Sequence, residues 1–196
     1  PMLLTKPGWV SADTKSYLTL DPGRLMERAV SMWDPWVGAG TITHQNIGYL
    51  FPLGPYYWLM DRIGMPDWVA QRLVWGTLIF AAAAGTWKLC RWLGWAALPA
   101  SIAALAYGFS PYLLSYLARL SVILGPWAAM PWLIRYLCRA IRERGWRWPA
   151  RFALVVALVG TSNATALVLV GLGPLIWVAA DLLTRRVSRR RWLVGL

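Results

Sequence analysis

Six of the eight acidic residues, Asp13, Asp21, Glu27, Asp34, Asp61 and Asp67, fall within the first 67 positions beside five bases. Residues 68–196 carry fifteen bases and two acids, set between long apolar runs. A soluble fold of 196 residues would have to bury a composition that is 58% hydrophobic and includes fifteen Trp; a bilayer removes that requirement. Lys and Arg concentrate in the cytoplasmic loops of membrane proteins, so the acid-bearing segment is expected outside and the Arg clusters inside. The net charge of +12 does not point to nucleic acid, because the Arg residues flank apolar spans and do not line one polar face. Cys90 and Cys138 sit at the ends of apolar segments and read neither as a metal pair nor as a disulfide. The opening Pro1-Met2-Leu3-Leu4 has no charged stretch of a signal peptide. It reads as the last turn of a truncated helix, and residues 192–196 as the start of another.

A membrane helix needs about 20 mostly apolar residues. Spans are expected over 68–89, 95–117 and 121–138, with Pro111 kinking the second and Pro126 and Pro131 inside the third. The stretch 148–183 is too long for one crossing. Its polar break, Thr161-Ser162-Asn163-Ala164-Thr165, predicts two short helices, 148–161 and 164–183, meeting near the outer face. Loops 88–94, 135–151 and 185–191 then lie inside, and 1–67, 110–120 and 161–165 outside. The fold class is all-α and polytopic. Residues 1–4 end a first membrane helix, 5–67 form a structured outer loop, and 68–196 form the helical bundle. No strand pattern of useful length is visible.

The outer loop is long and organised, and such loops tend to be functional. Asp21-Pro22 reads as a helix start, with Asp as cap and Pro at the first position. Leu25, Met26, Ala29, Val30 and Trp33 then fall on one face, as in a helix lying in the membrane surface. The Tyr- and Trp-rich stretch 55–63 is a second interfacial candidate. A loop of this kind suits a lipid-linked substrate whose head group sits at the interface.

The series Pro7-Gly8, Ala12-Asp13-Thr14-Lys15, Leu20-Asp21-Pro22, Trp33-Asp34-Pro35, Gln45-Asn46, Gly48-Tyr49-Leu50-Phe51-Pro52 and Trp68-Val69-Ala70-Gln71-Arg72 resembles the N-terminal part of the actinobacterial arabinofuranosyltransferase D family, large polytopic glycosyltransferases of the C-type fold. The resemblance is strongest over 7–75. It implies transfer of arabinofuranose from decaprenyl-phosphoryl-arabinose to an arabinan acceptor of the cell wall (arabinogalactan or lipoarabinomannan) on the periplasmic side of the plasma membrane. It also implies an essential acid in the first outer loop, a position that Asp13 matches.

The chemistry asks for little. Polyprenyl phosphate is a competent leaving group, so a base for the acceptor hydroxyl and cations for the departing phosphate suffice once positioned. No cofactor or metal is expected; one His and two distant Cys do not make a zinc site. Asp13, close to the membrane surface, is the candidate base, with a turn or cap residue as its structural alternative. Asp34 is the second candidate, although Asp-Pro is a common turn signal; Asp21 reads as a cap. Lys15, Arg119 and Arg72 are candidate ligands of the donor phosphate. Arg119 stands on the outer side, where bases are scarce, and snorkelling to head groups is its alternative role. His44, Gln45 and Asn46 are candidate sugar or acceptor contacts, while Trp33, Trp36, Tyr49, Tyr56 and Trp58 read first as interfacial anchors. Another polyprenyl-phosphate-sugar transferase, such as a mannosyltransferase, would look alike at this level. A transporter is the further alternative; against it, spans 68–134 hold no acid for a coupling site. A membrane scaffold subunit is the third class. Membrane lipids are expected partners and nucleic acid is not.

Overall fold

The computed structural model describes residues 2–4, 6–11, 17–31, 33–35, 38–42, 51–119, 123–160 and 164–183. After a 3-10 turn at Met2–Leu4 come α1 (Tyr17–Leu20) and α2 (Pro22–Ala29). The Asp21 carboxylate accepts the Arg24 backbone N–H at 3.0 Å, and Pro22 occupies a position whose N–H needs no partner. α2 buries Pro22, Leu25 and Ala29. Val30 and Trp33, expected on the same face, are exposed, because α2 ends at Ala29 and the chain turns into a two-residue strand, β1 (Trp33–Asp34). β1 pairs antiparallel with β2 (Thr41–Ile42), Trp33 opposite Ile42. A strand this short leaves no alternating pattern, so it was not legible. Gly40 has φ +100°, and a Cβ there would lie inside the Trp33 indole.

α3 (Leu53–Arg62) precedes the bundle, which is formed by α4 (Asp67–Trp92), α5 (Ala97–Gly108), α6 (Pro111–Tyr116), α7 (Leu124–Arg142), α8 (Arg147–Val159) and α9 (Ala164–Leu183). The span expected over 95–117 with a kink at Pro111 is present as Ala97–Tyr116, and its helix is broken at Phe109-Ser110 with Pro111 in the first turn of the second piece. Among the described residues, Asp67–Trp92, Ala97–Tyr116 and Thr165–Leu183 are long and apolar enough to cross a bilayer. α7 carries Arg135, Arg139 and Arg142 in its last two turns. It is the central helix and packs on α4, α8 and α9.

The two prolines of α7 behave differently. Pro126 lies in the first turn, where its missing N–H breaks nothing, so it does not interrupt a helix interior as expected. Pro131 lies in the interior and leaves the Trp127 carbonyl, four residues back, without its helical donor. The Tyr107 hydroxyl of α5 donates to that carbonyl at 2.7 Å, and the Tyr107 and Trp127 rings stack with centroids 5.1 Å apart. This is how bundles accommodate proline inside the membrane. Tyr107→Phe should therefore lower stability by about 1 kcal/mol, read as a fall in Tm of the detergent-solubilised protein; an unchanged Tm would mean that the carbonyl finds another donor.

The ends of the bundle differ. At one end, Leu18, Leu25, Tyr57, Ala70, Ile123 and Ala166 share a buried cluster, which docks α1–α3 onto the chain near the starts of α4, α7 and α9. At the other, Trp148 is buried, with the guanidiniums of Arg139, Arg151, Arg147 and Arg135 at 3.7, 4.7, 5.0 and 5.7 Å from its ring centroid. The Trp148 indole donates to Glu143, which accepts Arg139 Nε at 2.6 Å. That bond from Arg139, first among its causes, holds the Glu143 carboxyl below its usual range. The knot therefore persists at neutral pH and is lost only as acid protonates the carboxylate through its lowered value. Arg142 bonds the buried Asp181 at 3.2 Å, joining α7 to α9. The acid-bearing segment and the Arg knot thus sit at opposite ends.

Candidate functional site: a donor-lined cavity beneath the acid-bearing loop

Pro7 and Gly8 form the corner of a type II turn, with Gly8 at φ +83° and the Trp9 N–H donating to the Lys6 carbonyl at 3.3 Å. The first turns of α4 grip this turn. Arg72, 8% exposed, donates through Nη2 to the carbonyls of Lys6 at 2.8 Å and Trp9 at 3.3 Å, with its guanidinium 4.9 Å from the Trp68 ring centroid. Gln71 makes a reciprocal pair with Ser11: its Oε1 accepts the Ser11 N–H at 2.9 Å and its Nε2 donates to the Ser11 carbonyl at 3.2 Å. Ser11 Oγ in turn donates to the Ala118 carbonyl at 3.1 Å. Residues 6–11, the start of α4 and the end of the 109–119 segment are thereby held as one unit.

Between them lies an open cavity of about 440 Å³, lined by residues that include Lys6, Ser11, Gln71, Arg72, Trp75 and Ala118. That volume suits a small ligand or one head group. Its walls are rich in donors. Trp75 is 7% exposed, and its indole N–H is buried without a hydrogen-bond partner among the described residues. Lys6 brings an ammonium, and none of the described lining residues is acidic. Two non-glycine residues in left-handed backbone, Lys6 at φ 44° and Ala118 at φ 67°, both line this cavity. Such conformations cost about 1–3 kcal/mol each and gather at binding sites. The arrangement offers a ligand two donors, the Lys6 ammonium and the Trp75 indole N–H.

Of the candidates named from the sequence, Asp13, Lys15, His44, Gln45 and Asn46 lie outside the described residues. Arg72 lies in the cavity wall, where Nη2 serves the Lys6–Trp9 turn. Arg119 is exposed and directly follows the cavity residue Ala118; its backbone N–H donates to the Tyr116 carbonyl. Asp34 is in β1, 6% exposed, with Arg28 Nη1 3.7 Å from its Oδ2, and does not line the cavity. Lys6, Ser11, Gln71 and Trp75 were missed. Gln71 and Trp75 are four residues apart on α4 and so share a face, a signal that an apolar span hides.

The helical bundle, capped at one end by a folded, acid-bearing segment, is shared with known membrane glycosyltransferases of the GT-C class. The fold matches the cryo-EM structure of arabinofuranosyltransferase AftD from Mycobacteria with a TM-score of 0.87 and 34% identity, over 97% of this chain and 14% of that one. A mutant form of the same protein matches with a TM-score of 0.84 and 35% identity, over 90% and 14%. Residues 1–196 match the family described as alpha-(1->3)-arabinofuranosyltransferase, N-terminal GT-C domain, and the chain belongs to that family. It is 36% identical over 189 residues to the alpha-(1->3)-arabinofuranosyltransferase of Mycolicibacterium smegmatis, and 35% identical over 192 residues to that of Mycobacterium tuberculosis. Each match covers 95% of this chain and 13% of the relative, so the chain spans about an eighth of the length of these relatives.

Proposed function

We propose that the cavity seats the phosphodiester of a polyprenyl-phosphate-linked arabinofuranose, decaprenyl-phosphoryl-arabinose, and that the full-length protein transfers the sugar to cell-wall arabinan on the periplasmic face of the plasma membrane. The observation that carries this reading is the donor set of Lys6 and Trp75 Nε1 in a cavity whose described lining holds no acid, with Arg119 next in sequence to the lining residue Ala118. Negative charge grows on the phosphate as the bond to the anomeric carbon breaks, so fixed donors favour the transition state over the ground state. Arg72 and Gln71 act as positioning residues that hold the 6–11 segment. Asp13, two residues beyond the clamped Ser11, takes the proton of the acceptor hydroxyl. Lys15 adds charge for the phosphate, and His44, Gln45 and Asn46 meet sugar hydroxyls. That the mycobacterial relatives are alpha-(1->3)-arabinofuranosyltransferases supports arabinose over mannose.

Two measurements on the full-length protein test this. Arabinose should be transferred from its decaprenyl-phosphoryl donor and mannose from the corresponding donor should not; preference for mannose would overturn the sugar assignment. Arg119→Ala should lower kcat/KM for the lipid donor by about ten- to a hundredfold, the value of one charged hydrogen bond, and Arg119→Lys should restore part of it. Unchanged donor kinetics in Arg119→Ala would make that residue a membrane anchor.

A further inference from the structure

The opposite end of the bundle holds a second cavity, of about 500 Å³, lined by Lys88, Trp132, Arg135, Tyr136, Arg151, Leu154 and Val155. Three cations from three helices, α4, α7 and α8, converge on it, and none of its lining residues is acidic. The nearby carboxylates are engaged elsewhere: Glu143 bonds Arg139 and Trp148, and Asp181 bonds Arg142. Aromatic rings hold the cations in place. Lys88 Nζ lies 4.9 Å from the Trp132 ring centroid, the Arg135 guanidinium lies 5.8 and 5.7 Å from the ring centroids of Tyr136 and Trp148, and that of Arg151 is 4.7 Å from Trp148. Arg135 Nε is buried and has no hydrogen-bond partner among the described residues. Such a donor, beside two further cations, is costly unless an anion completes it.

We infer that this cavity binds the phosphate of an anionic phospholipid head group. The shared chemistry is a phosphate oxyanion, and the walls favour the lipid over a free anion. Leu154 is 59% exposed and Val155 lies beside it, so one side of the cavity is apolar and open. Trp132 and Tyr136 belong to the residue types that settle at the head-group level. Basic pockets between membrane helices at the positively charged face are the usual seats of anionic head groups. This site lies at the other end of the bundle from the donor cavity and does not depend on what that cavity binds.

The test is native mass spectrometry of the full-length protein in mild detergent, titrated with phosphatidylglycerol, with phosphatidylcholine, and separately with inorganic phosphate. The wild type should retain phosphatidylglycerol in preference to phosphatidylcholine, and inorganic phosphate should not displace it. Lys88→Gln, at an exposed position, should weaken binding about fivefold, and Arg135→Gln with Arg151→Gln together roughly 25-fold, following the contribution of each base to head-group attraction. The Lys88 variant keeps the test decisive if the double variant does not fold. Equal retention of both lipids, affinity unchanged in Lys88→Gln, no lipid bound to the wild type, or displacement by inorganic phosphate would each overturn the proposal.

Discussion

Asp13→Asn should leave a full-length protein that inserts and purifies as the wild type does, while sugar transfer falls by about 10²–10⁴-fold, the usual worth of a general base. The clamp on Ser11 gives this expectation a structural footing. Gln71 holds both the N–H and the carbonyl of Ser11, and Ser11 Oγ is tied to Ala118. Ser11, two residues before Asp13, is thereby fixed in the wall of the donor-lined cavity. Gln71→Leu should therefore reduce kcat as well, by less than the loss of the carboxylate, since it would loosen the segment before the proposed base without removing that base. Turnover assays with the lipid donor, run beside thermal melts, separate the two effects. Near-normal turnover in Asp13→Asn would move the base elsewhere in the loop. Asp34→Asn would then be tried, although the burial of Asp34 beside Arg28 predicts a loss of stability there as well.

Gly85→Leu should prevent the bundle from assembling, with loss of the folded, monodisperse species on size-exclusion chromatography. A Cβ at Gly85 would lie 2.5 Å from Trp132 Nε1 and 2.9 Å from Pro131 Cγ. Neither neighbour can easily move. The Trp132 indole donates to the Ala81 carbonyl at 2.9 Å, and Pro131 sits inside α7, one turn after the Trp127 carbonyl that Tyr107 binds. Close approach at a small residue is the usual way membrane helices pack. Gly85→Ala already adds an atom to a filled space and should cost about 1–3 kcal/mol. A Gly85→Leu protein that melts like the wild type would mean that α4 and α7 do not pack as described.

Much of the architecture was legible because it rests on local signals. The Asp21-Pro22 start and the apolar runs are encoded within a few residues of where they act. The helix over 164–183 was read with the bounds it has in the structure, Ala164–Leu183. Proline was harder to read. The same residue type starts a helix at Pro111, sits harmlessly in a first turn at Pro126 and frees a carbonyl at Pro131, and only the surrounding helices decide which. The site was less legible still. Arg72 stood out as a cation in an apolar span, yet its visible bonds go to backbone carbonyls more than sixty positions earlier. Trp75 was not singled out, because an unpaired indole N–H is a property of packing and not of spacing. The Arg residues of 135–151 read as a topology signal, while their arrangement around Trp148 depends on α7 and α8 lying side by side.

The bonds of Ser11 also carry a consequence for how the protein is made. Its contact with Gln71 spans 60 residues and its contact with Ala118 spans 107. At about 5–20 residues per second of synthesis, Ala118 follows Ser11 out of the ribosome only after on the order of 5–20 s. Gln71 and Arg72 arrive a little past the middle of that interval, and the contact to Ala118 forms only at its end. The cavity is therefore finished late, by the arrival of the segment that follows α6, and a chaperone acting on the nascent acid-bearing segment would find it still open until then.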